Sequence, residues 1–435
     1  MTNGEREWFT LSVTPAKAGV QVLDSRFRGN DEARAGIRKR MITAPTIDLA
    51  RASRTEWDAV VVGAGPAGAF AALKLARAGR ATLLVERKSF PRPKVCGGCL
   101  NAHALAALGR AGLIETLRGC GAQPVSTVHL RHRGRAVQLP IPAGLAVSRA
   151  VLDAMIVGAA IDAGCAFLPE TTALLVPEAG APWREGWRRL DVQHHHHRAR
   201  VASRMVMIAD GLAHSSLREC PELRSRVSST SRIGVGGLAD RAIAGATPGA
   251  ITMAVGRHGY VGITLVEQGR TNIAAALDAG FLKLQANPAR AVSSILSEAG
   301  IPHDSGALDE VDWQGTVPLT RHMPRPVARR VFVLGDAAGY VEPFTGEGMA
   351  WAFAAVEIVV PLATRGILAW DAAIERDWLS AYRGLVATDQ RWCRAVSRVL
   401  RSSWATRAIV GALSPFPGLA RPLLAHMTPA RQTNC

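Results

Sequence analysis

Apolar residues occur along this chain in short blocks separated by glycine-rich turns, and the blocks follow two patterns. Ala59 to Val62 and Ala81 to Val85, the second broken only by Thr82, are apolar runs, as expected of strands covered on both faces. Between them an alanine-rich segment ends at Gly79 and reads as a helix. Val201 to Ile208 and Val331 to Leu334 repeat the buried-strand pattern, as does the shorter Ala166 to Leu168 after Gly164. Val125 to Leu139 instead alternates, which predicts a half-exposed hairpin turning near Gly134. Ile233 to Asp240, Ala250 to Val255, Tyr260 to Val266 and Thr271 to Leu277 read as successive strands, with turns at Gly256 to Gly259 and Glu267 to Arg270. Ser148 is placed to cap a helix carrying Arg149 and Asp153, and Ser215 with Arg218 to start another. These elements predict an α/β chain with an antiparallel sheet inserted between its parallel-sheet pieces, followed by helices to the C-terminus.

The first block carries chemistry. Gly63, Gly65 and Gly68 stand in G-x-G-x-x-G spacing between strand and helix, and Glu86 ends the second strand. Gly63 permits the turn, Gly65 lets backbone approach a diphosphate, Gly68 brings helix and strand together, and Glu86 falls where it meets an adenosine ribose. The helix start offers amides without intrahelical partners. A plain strand-helix-strand packing unit explains the glycines but not the placed acid.

Other candidates lie further on. Asp336 follows the Val331 to Leu334 strand, where a carboxylate can accept bonds from a polyol, and Gly346, Gly348 and Met349 open a helix whose first amides attract negative charge. Cys96 and Cys99 form a C-x-x-C in a Pro- and Gly-rich loop, open to reading as a redox pair or as packing beside a cofactor. No second pair completes a zinc site. His194 to His197 point in different directions with no carboxylate near, so they read as a solvated run and no metal is expected.

Composition narrows the classes. The 435 residues, 48% of them hydrophobic, can bury a large core. The best apolar stretch, Ala350 to Ala363, is interrupted by Glu357 and Pro361, so no membrane span is expected. Seven unevenly spaced cysteines and the lack of a secretory leader pattern point to the cytoplasm. The net charge of +17 comes from scattered arginines with no interleaved aromatics, which disfavours nucleic acid. Thr14 to Glu32 resembles the conceptual translation of an interspersed bacterial DNA repeat, leaving the start open between Met1 and Met41, the alternative being a disordered basic arm. In Trp404 to Met427 apolar residues mix with Arg407 and Arg421 and no acid. This region either covers the protein or lies flat on an anionic inner membrane.

GAGPAG with Glu86, then Arg149, then Asp210-Gly211, then Gly335-Asp336 with PFTGEGMAWA, resembles the FAD-dependent oxidoreductases of the para-hydroxybenzoate hydroxylase fold. KVCGG and GDAAGYVEPFTGEG resemble the geranylgeranyl reductase branch. The resemblance covers roughly Trp57 to Pro361. It implies a discontinuous Rossmann-like FAD domain from 57–124, 148–227 and 313–365, a substrate domain from 125–147 and 228–312, a C-terminal helical region over 366–435, and an extension over 1–56. It further implies that Gly63, Gly65, Gly68 and Glu86 hold the ADP half of FAD, that Arg149 lies along the cofactor, and that Asp210 and Gly211 lie near the diphosphate. Asp336 would hold the ribityl chain and Cys96 would sit at the flavin ring. The segment after Gly211 is one residue longer than the family's spacing, and Gly259 to Ile263 lacks the Trp and Phe of prenyl reductases. The expected activity is monooxygenase-type, hydroxylation or epoxidation of a lipophilic or aromatic small molecule with NAD(P)H as transient donor. Double-bond reduction and flavin binding without turnover are the alternatives.

Overall fold

A computed structural model describes residues 44–178, 184–243, 245–342, 344 and 346–420. The Thr14 to Glu32 segment, Met41, Trp183 and residues 421–427 lie outside the described residues.

The parallel sheet is built from the apolar runs. Its path is Val327–Ala328, Val331–Val333, His197–Ile208, Glu56–Val62, Thr82–Val85 and Ala166–Leu168, parallel throughout except at the Val327–Ala328 edge. Period-two alternation sends Ala59 and Val61 into one core and Val60 and Val62 into the core on the opposite face, which is why the run shows no polar gap. The helix Pro66–Arg77 packs on the first face with Arg149–Asp162 and Gly348–Leu368. Phe70 and Phe353, both fully buried, meet edge to face at 5.0 Å, and each contributes about 1.5–3 kcal/mol by burial.

Register matters more than strand content. Val62 pairs with Val85 and with Ile208, Val85 with Leu168, and Val333 with Ile208. The C-terminal ends of five strands therefore stand in one row, and the chain leaves that row at Gly63, Glu86, Ala209 and Leu334. Ligands of open α/β sheets bind outside this edge.

The second sheet runs Gln314–Pro318, Ile233–Ala239, Thr271–Leu277, Gly259–Leu265, Gly249–Gly256, Gln123–His132, Arg135–Ala146 and Cys99–Leu100. Its hairpins turn where the sequence predicts, at Arg133–Gly134, both with positive φ, and at Arg257–His258. The expectation of an all-antiparallel insert is corrected at one seam, because Gly249–Gly256 pairs in parallel with Gln123–His132. Tight turns dictate antiparallel pairing only within a hairpin, and these strands come from separate segments.

Two further expectations change. Pro361 does not interrupt its apolar run, since the helix is continuous from Gly348 to Leu368. Glu357 leaves its surface to pair with Arg110 at 2.5 and 2.9 Å. Among the described residues this helix alone is long and apolar enough to cross a membrane, and half of its apolar window is buried inside the protein, Phe353 and Val356 fully. Ser215 and Arg218 do not start an α-helix. Two 3-10 turns, Gly211–Ala213 and Ser215–Leu217, flank His214 at φ 51°.

Candidate functional site

Three glycines shape the start of the first helix in different ways. A Cβ on Gly68 would stand 1.8 Å from the Gly63 carbonyl oxygen, and one on Gly63, at φ 99°, would stand 2.4 Å from that of Ala209. Backbone meets backbone at both, so only glycine fits. Gly65 is different, because the nearest atoms to its Cβ position are guanidinium nitrogens of Arg149 at 3.4 Å and Arg92 at 3.8 Å. It caps the helix without a side-chain acceptor, which leaves the first amides turned toward two cations and the cavity.

A chain of buried charges crosses this helix start. Glu86 accepts from the Ala64 amide at 2.9 Å, from the Lys88 amide at 3.0 Å and from Arg92 at 3.2 Å. Arg92 reaches Asp153 at 3.4 Å, and Arg149 grips the same carboxylate with two bonds of 2.8 Å. Two cations thus face two anions away from water, a geometry in which removing one partner costs far more than the pair contributes. Burial alone would lower the Arg149 pKa, but the Asp153 carboxylate more than offsets it and the guanidinium stays charged. Lys94 lacks so close an anion, and burial, with Arg149 adding repulsion, lowers its pKa while Asp336 pulls it back up.

A cavity of about 240 Å³ opens beside these groups. Gly65, Lys94, Arg149, Gly211, Gly335 and Asp336 line one end, and Val128, Leu139, Ile251, Met253 and Leu319 the other. The loop carrying Cys96 runs into the Cys99–Leu100 edge strand and is fixed to the second sheet. Asn272 donates to the Cys96 carbonyl at 2.8 Å, the Val147 amide donates to Gly98 at 2.9 Å, and Cys99 pairs with Ala146. Both thiols are free and line the cavity. Burial pushes the Cys99 thiol up to about 12, a nearby Thr264 hydroxyl at 3.8 Å pulling slightly the other way.

Of the residues singled out by sequence, Gly65, Cys96, Arg149, Gly211, Gly335, Asp336, Gly346, Gly348 and Met349 line this one cavity. Gly63, Gly68, Glu86 and Asp210 stand behind its wall and set its shape. Asp210 accepts from the Ser216 amide at 2.9 Å and hydroxyl at 2.8 Å, so Ser216, one position beyond Ser215, fills the role the longer segment displaces. Its other oxygen, Oδ1, is buried without a bond among the described residues. His194 contacts Thr171 at 2.9 Å, and among the described residues no cluster of three His, Cys, Asp or Glu side chains could hold a metal.

Sequence reasoning misses Arg92, Tyr340 and the buried pair of Arg232 with Glu342 at 3.0 Å. Charged residues beside apolar strand segments were the available signal. The aromatic partner that the Gly259 to Ile263 strand lacks comes from another segment, since Phe344 packs edge-on against Tyr260 at 5.1 Å.

Residues 56–357 match the FAD binding domain family, and the chain belongs to it. It is 39% identical over 132 residues to a menaquinone reductase of Mycobacterium tuberculosis, a match covering 27% of this chain and 30% of that protein's length. It is 28% identical over 310 residues to digeranylgeranylglycerophospholipid reductase 2 of Methanopyrus kandleri, covering 68% of this chain and 73% of the relative. A squalene monooxygenase of Candida glabrata is 34% identical over 86 residues, 20% of this chain and 18% of that one. Among solved structures, p-nitrophenol 4-monooxygenase PnpA from Pseudomonas putida superposes with TM-score 0.66 at 16% identity over 85% of this chain and 97% of its own. The flavin-dependent brominase Bmp2, as a triple mutant, gives 0.68 at 15% identity over 86% and 96%. The mixed α/β fold is that of flavin-dependent monooxygenases.

Proposed function

As a member of the FAD binding domain family this chain is, we propose, an FAD-dependent oxidoreductase that acts on a lipophilic small molecule in the cavity between its two eight-stranded sheets. The observation that carries this reading is the polarity of that single cavity, with open helix amides, Arg149, Lys94 and Asp336 at one end and an apolar wall at the other. FAD suits these residues. The Gly65 amides and the two cations complement a diphosphate, Asp336 accepts from a polyol, and the unbonded Asp210 Oδ1 stands close behind. Glu86 reaches a ribose only by sharing its carboxylate with Arg92. We assign 57–124, 148–227 and 313–365 to the FAD domain and 125–147 and 228–312 to the substrate domain, with the strands Cys99–Leu100 and Gln314–Pro318 crossing into the substrate-domain sheet.

Bound FAD supplies two-electron redox chemistry and, when reduced, oxygen activation. We read the reaction as hydroxylation or epoxidation, because Val128, Leu139, Ile251 and Met253 exclude the water that competes with oxygen transfer. Double-bond reduction is the second reading, favoured by the Cys96 and Cys99 thiols in the cavity and by the aligned reductases. NAD(P)H is the proposed donor, visiting transiently.

The C-terminal segment supports a peripheral membrane role. Trp404, Ile409, Phe416 and Leu419 are exposed while Val410 and Ala420 pack with cavity-wall residues Leu139 and Met253. The helix Ser403–Leu413 so carries an apolar outer face with Arg407 beside it, directly behind the wall that a lipid-derived substrate must pass.

Anaerobic reduction of the purified protein by NADPH or NADH, followed by oxygen with and without extracted host lipid, tests the reading. A lipid product gaining one oxygen atom supports oxygenation. A product gaining two hydrogens without oxygen supports the reductase. Protein purified without FAD overturns both.

A further inference from the structure

We propose that Glu342 selects the polar end of the substrate by accepting a hydrogen bond from a neutral hydroxyl on an otherwise apolar molecule. The assignment rests on the reading of the cavity as the substrate site.

Glu342 lines the cavity and is 1% exposed. Its Oε1 accepts from Arg232 at 3.0 Å, whereas its Oε2 is buried and accepts no hydrogen bond among the described residues. A buried carboxylate oxygen without a donor is costly and rare, and one that borders a cavity is a place for a ligand to donate. Arg401 stands 3.8 Å from Oε2, beyond hydrogen-bond reach. Arg401 donates instead to the Thr230 carbonyl at 2.6 Å and faces Asp278 at 3.7 Å.

The charge count decides what kind of donor fits. Arg232 and Arg401 balance Glu342 and Asp278, which Arg232 also bonds at 3.1 Å. A cationic ligand meets no surplus negative charge at this neutral cluster and must leave its hydration behind, while a hydroxyl brings the missing proton donor at far smaller desolvation cost. The Tyr260 phenol shares a hydrogen bond with the Glu342 carboxylate, which still leaves Oε2 without a partner, and burial raises the Tyr260 and Tyr340 pKa values, with Glu342 adding at Tyr260 and Asp336 at Tyr340. They stay protonated and neutral. Phe344, Met253 and Leu319 complete the surroundings as apolar surface.

The test is calorimetric titration of the full chain, loaded with FAD, by three ligands of equal chain length: decanol, decyl methyl ether and decylammonium. Decanol is expected to bind roughly tenfold or more tightly than the ether, as a hydrogen bond to a charged acceptor gives, with decylammonium no tighter than the ether. Glu342→Met should bring the alcohol-to-ether ratio close to one. Glu342→Gln, which keeps the shape and a weaker acceptor, should give an intermediate ratio. Should the Met variant not fold, the Gln variant and the three ligands on the unaltered protein still decide. A ratio near one in the unaltered protein, tighter binding of the ammonium, absence of any binding, or a ratio that survives both substitutions overturns the proposal. FAD content measured before titration separates this failure from failure of the cofactor reading.

Discussion

The two ends of the cavity are built in opposite ways. At the glycine-rich end, two ion pairs join residues close in sequence, Arg149 to Asp153 four positions on and Arg92 to Glu86 six positions back, and Arg92 to Asp153 links them. At the apolar end the corresponding pair, Arg232 with Glu342, spans 110 positions. The first end has Glu86 and Asp153 bonded by backbone or by guanidinium forks and leaves Asp210 Oδ1 unbonded, while the second leaves Glu342 Oε2 unbonded. The difference teaches that the charge chain at the cofactor end is set largely by local structure, whereas the pair at the substrate end depends on segments far apart in sequence.

The largest expected effect comes from cutting the local charge chain. Arg149→Leu strands the fully buried Asp153 with Arg92 alone and should cost about 3–5 kcal/mol of stability together with the FAD. Arg232→Leu should cost distinctly less, because Asp278 is 36% exposed and Arg401 remains near Glu342. Chemical denaturation of both variants measures this, and equal losses would break the contrast between the two ends.

Next come the glycines. Gly68→Ala forces a Cβ into the Gly63 carbonyl and should destabilise by about 1–3 kcal/mol. Gly65→Ala, with its nearest contacts at 3.4 Å and to side chains, should fold normally and lose FAD affinity instead. Thermal unfolding alongside flavin absorbance resolves the two; a Gly68→Ala protein as stable as the unaltered chain would contradict the packing described.

A pH effect sharpens the contrast further. The Cys99 thiol in the cavity and the Cys165 thiol in the parallel-sheet core are both pushed from the ordinary 9.0 to about 12, chiefly by burial. A raised folded-state pKa means that the stabilisation is complete below pH 9 and is lost as pH rises toward 12. Denaturant midpoints should hold steady to pH 9 and then fall. Cys165→Ala should remove more of that fall than Cys99→Ala, since Cys99 borders open space and Cys165 is 3% exposed.

The smallest effect concerns the outer face of the substrate end. Binding to anionic vesicles at low salt, weakened by high salt, is expected with about 1 kcal/mol per cation near the surface. Trp404→Ser should reduce it without changing FAD content. Co-sedimentation showing no binding to anionic vesicles at low salt would remove the membrane reading.

Much of the cofactor end is legible along the chain because its information is local. A turn that needs Gly63, a helix start at Gly65, a helix-strand contact that needs Gly68, and an i,i+4 pair of Arg149 with Asp153 are each specified within a few residues. The apolar runs likewise determine the buried parallel strands, since a segment covered on both faces has no room for polar residues. Tertiary structure alone decides the rest. Register sets the ends of five strands in one row and so brings Gly63, Glu86, Ala209 and Leu334 together across more than half of the chain. The parallel seam between Gly249–Gly256 and Gln123–His132, the continuity of the helix through Pro361, and the meeting of Arg232, Glu342 and Tyr260 follow from packing between distant segments. Their residue types are common to many environments, and only the three-dimensional arrangement makes Glu342 a buried acceptor rather than one more surface carboxylate.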